Sequence, residues 1–571
     1  MIKLLYNKAD QRYIFFTGDI SELKLIEKHF NQIPSYMFMP SFSGVPCPVE
    51  FFHKFRHASG QNIFYCHSGL WKTIMDWCEE KGIKIEIPEN FNEFKYTEFK
   101  DSLEEFAEYI KSWNLSLNPY DYQIKAAWLI LHYKQSLSQL ATRSGKTLIA
   151  YIVFRYAMEK LGVKKILMIV PSTYLVKQAV GDFDDYKEYF LSETVWADGE
   201  LCAGSNLTIG TFQSLVKRAD KKSVKYDPKF FKDYDLVLVD EAHTLKCDSI
   251  NTILNQSFLK NVKIKFGFTG TLPEEHTIDS FCCHSLMGPT IQDIRSKELM
   301  DAGFITPIDI TQIIIKHPWS KELKQQYIKC GEYLNGIPQE KIEWVDGKKH
   351  KSRILLPQDQ REFTLVEQKK LPLVLHSMKY SPEYDEDTYI NYLIDMCKAK
   401  GSNLLMLEQM LAHRDQKRLD IMYELLFGLD KNCIVFAHHT EYLRFLYNYY
   451  KRIFPDRPIY IITGQTSTKK RADIINKMVT DKGAILFASY GCIGTGATFK
   501  NVDYGIFAQS FKSQIINRQS LGRGLCLASG KDKFYLYDLV DDFPTGVLKS
   551  QGKAKLKLYK EDKFEVRQVS K

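Results

Sequence analysis

Nine short, almost wholly apolar runs limit how this 571-residue chain can fold. Four lie in the first half: Ile166–Val170 (ILMIV), Leu207–Ile209 (LTI), Leu236–Val239 (LVLV) and Ile264–Phe268 (IKFGF). Five come later: Cys433–Phe436 (CIVF), Ile459–Ile462 (IYII), Ile485–Ala488 (ILFA), Gly505–Ala508 (GIFA) and Phe534–Leu539 (FYLYDL). Such runs are too short for buried helices and lack the polar alternation of a strand with one wet face. Spaced by segments of helical periodicity, they predict strands buried on both faces of parallel sheets. The two groups share no fixed-period repeat, so they predict two distinct α/β domains.

The rest of the chain divides around them. Residues 1–110 predict a small α+β domain, with strands in KLLYN and RYIFFTG and helices in ELKLIEKHF and GLWKTIMDWCEEKG. Within it, MFMPSFSGVPCPVEFFHKFRHASG alternates aromatics with Lys54, Arg56 and His57. The preferred reading of that stretch is a half-buried strand with a wet face. The other is a surface that meets a nucleic-acid backbone, with cations on phosphate and rings on bases. Residues 111–304 make the first α/β domain and 305–548 the second. The second carries a charged, Pro-punctuated insertion at about 317–387. Leu404–Phe427 reads as a helix, and the basic tail 549–571 as a helix followed by an edge segment.

Composition excludes several classes. Hydrophobic content of 44% and charged content of 26% suit a globular chain, and a net charge of +9 permits a polyanionic partner without requiring one. The twelve cysteines form no CxxC pair, which argues against a zinc ribbon and a disulfide framework. No apolar run approaches the ~18 residues of a membrane span. A cytoplasmic protein with reduced thiols and no membrane partner is expected.

The chemistry begins at Leu140–Ala150, LATRSGKTLIA. Phosphate binding needs backbone N–H groups at a helix N-terminus, a lysine for the outer phosphates and a hydroxyl for Mg2+. Ser144, Gly145, Lys146 and Thr147 supply these, although Arg143 stands where a small residue is usual. Downstream, LVLVDEAH ends a buried strand in Asp240, which would hold Mg2+ through water. Glu241 follows, suited to deprotonate an attacking water. Lys146, Thr147, Asp240 and Glu241 together predict an ATP·Mg2+ site. Asn7-Lys8-Ala9-Asp10 spells a guanine-reading NKxD, but it precedes the phosphate loop and lies outside its domain; it is read as chance.

In its motifs the chain resembles the superfamily 2 DEAH-type helicases. The DEAH of Asp240–His243 is joined by Phe268-Thr269-Gly270-Thr271, similar to the family's coupling motif. Val170-Pro171-Ser172-Thr173 and Gly210-Thr211-Phe212-Gln213 resemble its strand-contacting motifs. Pro119-Tyr120-Asp121-Tyr122-Gln123 resembles its adenine-reading motif, with two extra residues. Phe436-Ala437-His438, Thr463-Gly464, Gly494-Thr495-Gly496 and Gln519-Ser520-Leu521-Gly522-Arg523 follow in family order. The UvsW-like helicases of tailed phages are the most similar group. The grounds are the small N-terminal domain, the loop without its usual glycine, and ASYGCIGTGATFKNVDYGIFAQSFKSQIINRQSLGRGL.

The resemblance implies two RecA-like parallel-sheet domains in tandem after the α+β domain. It implies ATP and Mg2+ as cofactors and an ATP-dependent helicase or translocase acting on branched DNA. Such a protein would regress forks, migrate junctions and remove displaced strands or RNA–DNA hybrids in recombination, repair and replication. Gln123 would read adenine, and Gly494 and Gly496 would border the nucleotide. Arg523 and Gln519 would meet its phosphates, and His243, Thr269 and Thr271 would couple hydrolysis to motion. Pro171, Ser172, Thr211, His438, Thr463, Gly464 and Thr495 would hold a strand backbone, with Lys54 and Arg56 on duplex DNA. The expected protein is monomeric, with recombination or replication proteins as partners, in the host cytoplasm if phage-encoded.

Two departures stand out. Cys526 occupies the place of the last motif's second arginine, leaving Arg523 as the finger and Arg518, Lys531 and Lys533 as candidates to compensate. Arg143 is either a solvent-facing side chain on the loop shoulder, the preferred reading, or an extra phosphate contact. The alternatives to a DNA translocase are an RNA helicase, a nucleotide-gated nucleic-acid clamp and the motor subunit of a nuclease assembly.

Overall fold

The computed structural model describes all residues except 9, 35–36, 38–46, 59, 187–192, 197–205, 247, 261, 337–339, 346–347, 354–383, 402, 491–500 and 511–530. The chain divides into a first unit reaching Leu299 and a second from Met300 to Lys571.

In the first unit, strands β1 (Ile2–Asn7), β2 (Asp10–Gly18), β3 (Phe52–Arg56), β4 (Asn62–His67) and β5 (Ile85–Glu86) form a sheet in the order β3-β4-β2-β1-β5. Its pairs are antiparallel except β1 with β5. One face buries Ile2, Leu4, Ile14, Phe16, Phe52, Phe64 and Cys66 beneath the helices Ile20–Phe30 and Trp71–Glu80. Asp19 caps the first of these by accepting from the N–H groups of Ser21 and Glu22.

The first α/β sheet follows: β6 (Gln135–Leu140), β7 (Ile166–Val170), β8 (Glu193–Trp196), β9 (Leu207–Thr211), β10 (Leu236–Val239), β11 (Ile264–Thr269) and β12 (Thr290–Ile294). Its order is β12-β6-β11-β10-β7-β9-β8, and every pair is parallel. As predicted for strands covered on both faces, β7, β9 and β10 are buried throughout.

The α+β domain and this sheet share a core. Phe281, on the helix Ile278–Met287, packs into the N-terminal cluster with its ring 4.8 Å from that of Phe30 and 5.5 Å from that of Phe51. Gly69 lies so close to that helix that a β-carbon would fall 2.2 Å from the His284 carbonyl oxygen. Gln135 Nε2 donates to Ser68 Oγ at 3.0 Å, and Arg12 Nη1 to the Asn255 carbonyl at 2.9 Å. The N-terminal domain is therefore cemented to the first sheet rather than tethered to it.

The second unit holds β13 (Ile308–Lys316), a hairpin of β14 (Glu340–Val345) and β15 (Lys348–Arg353), and then β16 (Cys433–Ala437), β17 (Ile459–Ile462), β18 (Ile485–Ser489), β19 (Tyr504–Phe507), β20 (Phe534–Asp542) and β21 (Val566–Ser570). Its main sheet runs β17-β18-β16-β19-β20-β13-β21, again wholly parallel. The basic tail supplies the helix Val547–Glu561 and the edge strand β21, as the sequence predicts. Leu404–Phe427 is two helices rather than one, Asn403–Arg414 and Gln416–Phe427. Between them Asp415 turns extended and accepts from the Arg418 N–H, capping the second. Helices Lys321–Gly336, Glu386–Ala399 and Asn403–Arg414 share a separate cluster built on Tyr327, Tyr389, Leu393 and Leu407.

Candidate active site

The site residues of the two main sheets gather at one kind of place, just past the carboxyl end of a parallel strand, where open α/β sheets bind ligands. Beyond β6 the chain enters the phosphate loop. Ser144 N–H donates to the Ala141 carbonyl at 3.1 Å, and Gly145, at φ 78°, caps the helix Lys146–Lys160. The first N–H groups of that helix have no partner within it, so they are free to meet an anion. The left-handed turn at Gly145 needs glycine for space as well: a β-carbon there would fall 2.1 Å from Gln123 Nε2.

Gln123 lies beneath the loop. Its Nε2 donates to the Ser144 carbonyl at 2.9 Å and its Oε1 accepts the Tyr120 N–H at 2.9 Å. Tyr122 hydroxyl donates to the same Ser144 carbonyl at 2.8 Å. The pattern around Gln123 in the sequence suggested a base reader and gave no sign of this clamp on the loop backbone. Tyr122 belongs to the same motif, and its place one residue before Gln123 is the only sign in the sequence of this role.

Beyond β10 come the carboxylates. Asp240 Oδ1 accepts the Glu241 N–H at 2.9 Å, and Glu241 itself stands at φ 53°. Glu241 Oε1 lies 3.7 Å from Lys146 Nζ, and its Oε2 lies 3.3 Å from His243 Nδ1. Packing around its carboxyl pushes Asp240 up to about 6; the Glu241 charge acts the same way, and Lys146 opposes both. From β11, Thr269 Oγ1 sits 3.1 Å from His243 Nδ1 and donates to the Thr271 carbonyl at 2.8 Å. Thr271 N–H returns a bond to Thr269 Oγ1 at 3.2 Å. Lys146, Glu241, His243, Thr269 and Thr271 thus form one contiguous polar chain across β6, β10 and β11.

At the neighbouring strand ends, Ser172 Oγ accepts from Leu175 N–H at 3.4 Å and Thr211 Oγ1 from Ser214 N–H at 3.3 Å, each capping the helix that follows. Gln213 Nε2 bridges to the Pro171 carbonyl at 3.3 Å. In the second unit His438 is exposed past β16, and Thr463 and Gly464 follow β17. Gln509, missed in the sequence, accepts the N–H groups of His438 at 2.9 Å and His439 at 3.1 Å. Lys531 is buried against Phe534, whereas Lys533 is exposed. Gly494, Thr495, Gly496, Arg518, Gln519, Arg523 and Cys526 lie outside the described residues. Arg143 departs from the preferred solvent-facing reading: it is half-buried, with Nε and Nη2 shut off from solvent.

This arrangement suits ATP·Mg2+. It has a left-handed loop opening a helix, a lysine held by a carboxylate rather than a phosphate, and a second carboxyl raised by packing at a strand end. Residues 114–274, spanning this site, match the family described as Type III restriction enzyme, res subunit, and residues 417–526 match the Helicase conserved C-terminal domain. The chain carries the domains of a superfamily 2 helicase. It is with that an ATP-hydrolysing enzyme. The helicase is 24% identical over 481 residues to the ATP-dependent DNA helicase uvsW of Enterobacteria phage T4, covering 83% of this chain and 78% of that protein. The crystal structure of T4 UvsW aligns with a TM-score of 0.42 at 20% identity, over 100% of this chain and 99% of that one. The DNA-bound Type ISP restriction-modification enzyme LlaBIII aligns at 0.49 and 12% identity, over 80% of this chain and 31% of that one. No helix among the described residues of the helicase is long and apolar enough to cross a membrane.

Proposed function

We propose that the helicase is a DNA translocase that remodels branched DNA: it regresses forks, migrates junctions and strips displaced strands or RNA–DNA hybrids during recombination, repair and replication. One observation carries this reading. The N-terminal domain is fused to the ATP-binding sheet through Phe281 and Gly69, so a surface on it moves wherever that sheet moves. Its open sheet face carries Tyr13, Phe15, Phe55 and Tyr65 around a shallow cavity of about 220 Å³. Lys54 and Arg56 are exposed on its edge strand β3. The rings lie on the open face while Lys54 and Arg56 alternate to the other side of the same edge strand, so bases on the rings and phosphate on the cations would meet around that edge. The resemblance to the DNA helicase of phage T4 supports DNA as the track.

Bound ATP would supply the bond whose hydrolysis drives movement, with Mg2+ screening its phosphates. The residues then have distinct tasks. Lys146 exchanges the Glu241 carboxylate, 3.7 Å away, for phosphate oxygens, and Glu241 is thereby freed to take a proton from water. Thr147 and Asp240 would hold the metal, and Gln123, its amide shared between Ser144 and Tyr122, keeps the loop in place and would turn to adenine when nucleotide binds. His243, Thr269 and Thr271 relay the change at Glu241 to the end of β11. Pro171, Ser172 and Thr211 would line a strand backbone from the first sheet, and His438, Thr463 and Gly464 would line it from the second, where the N–H groups of His438 and Thr463 are already given to Gln509 and Thr466. From sequence alone, Thr495 joins that track, Gly494 and Gly496 border the nucleotide, and Arg523 and Gln519 serve its phosphates. A monomer in the cytoplasm, that of the host if the protein is phage-encoded, completes the reading.

The test is steady-state ATP hydrolysis with single-stranded, duplex, forked and Holliday-type DNA and with RNA. The expected result is strongest stimulation by forked or four-way DNA. Strongest stimulation by RNA would make it an RNA helicase, and binding without strand displacement would make it a clamp.

A further inference from the structure

We propose that Arg143 is a second phosphate-binding cation of the nucleotide site, acting beside Lys146. The proposal deepens the ATP-site reading and rests on it.

Arg143 stands in the middle of the phosphate loop at φ 75°, a conformation that costs a residue with a β-carbon ~1–2 kcal/mol relative to glycine. The loop thus carries an arginine where glycine would be easier. The side chain does not extend into water. Its Nε and Nη2 are sealed from solvent, and neither has a hydrogen-bond acceptor. A guanidinium is always charged, and burying donors without acceptors is costly, so a site that keeps one there has an anion to meet.

The neighbouring groups do not supply that anion. Asp182, on the helix Thr173–Tyr186, is near enough for Arg143 to act on its charge, but no ion pair within 4 Å joins the two. Asp182 is instead bonded by Gln178 Nε2 at 3.4 Å and by the Thr147 side chain, and Gln178 Oε1 has no donor. Ser144 Oγ, in the same loop, is also buried without a partner. The loop shoulder therefore presents unspent donors next to the lysine that faces phosphate. A phosphate group, with several oxygens and a full charge, fits the planar fork of Arg143 as it fits the point charge of Lys146.

The experiment measures the affinity of the full-length protein for ATP·Mg2+ and ADP·Mg2+, with thermal unfolding in the absence of nucleotide. The variants are Arg143→Gly, Arg143→Lys and Lys146→Ala. Glycine relieves the backbone strain, so Arg143→Gly should unfold at the same temperature as wild type or higher. Its ATP·Mg2+ Kd should nevertheless rise about 10- to 100-fold, the usual weight of one charged hydrogen-bonding partner. Arg143→Lys should fall between the two. An Arg143→Gly protein with wild-type affinity overturns the proposal. If Lys146→Ala also keeps wild-type affinity, it is the ATP-site reading that fails. Should the glycine variant not fold, Arg143→Asn, which tolerates the same backbone angle, carries the comparison with the same two outcomes.

Discussion

The two parallel sheets are built alike and treat charge in opposite ways. In the first, the ionised pair of the candidate site sits at the carboxyl edge, partly exposed and loosely held: Lys146 and Glu241 are 3.7 Å apart, with side chains 16% and 23% exposed. In the second, charges are sunk into the core. Arg418 donates to Asp541, to the Ala508 carbonyl and to Tyr442, and His317 bridges Asp541 at 3.2 Å and Asp415 at 3.3 Å. Lys555 pairs with Asp538, which Tyr559 and Gln312 also bond at 3.2 Å each. A loosely held edge pair can change partners when a ligand arrives. A core network with every acceptor engaged can only hold shape. Position on the sheet, more than residue type, separates the proposed catalytic pair from the architectural network.

Two substitutions should pull this contrast apart. Glu241→Gln should lower ATP turnover by about 10²- to 10⁴-fold, the usual contribution of a positioned base, while leaving denaturant unfolding nearly unchanged. Asp541→Ala should do the reverse. It leaves Arg418 buried without its carboxylate, and removing one partner of a buried pair costs about 3–5 kcal/mol. Urea titration together with turnover measures both. Similar stability losses in the two variants would erase the distinction between the sheets.

The sequence showed the strands far better than it showed the wiring. All nine apolar runs are strands, eight of them within two residues at each end and the ninth, β20, running three residues further to Asp542, because burial on both faces leaves an unbroken hydrophobic signal. β12 (TIQDI) and β13 (IDITQIIIK) were missed because polar residues interrupt them. Leu404–Phe427 was read as one helix because its apolar spacing continues through Asp415, although a capping aspartate at mid-segment was a visible stop. The site motifs were legible as spellings, and the Lys146–Glu241–His243–Thr269 chain joins four residues chosen from three separate stretches. The burial of Arg143, the Gln123 and Tyr122 clamp and the raised Asp240 carboxyl were not legible. Each depends on side chains brought together from distant segments, which periodicity does not record.

The raised Asp240 carboxyl gives the smallest of the expected effects and the most direct look at the edge. A carboxyl at about 6 rather than near 3.8 is neutral below pH 6, and a neutral carboxyl does not hold a cation. Metal-dependent nucleotide binding should therefore be nearly full about a unit above pH 6 and weaken as pH drops through it, by about tenfold per unit below it when one proton competes with one metal. Glu241→Gln removes a neighbouring negative charge that helps raise Asp240, so its midpoint should lie at lower pH than that of the wild type. Following metal-dependent nucleotide binding from pH 7.5 to 5 in both proteins checks this, since protonation of the nucleotide is common to the two curves. Coincident curves would mean that the two carboxyls do not sense each other, and the first sheet's edge would then be a row of separate groups rather than a coupled site.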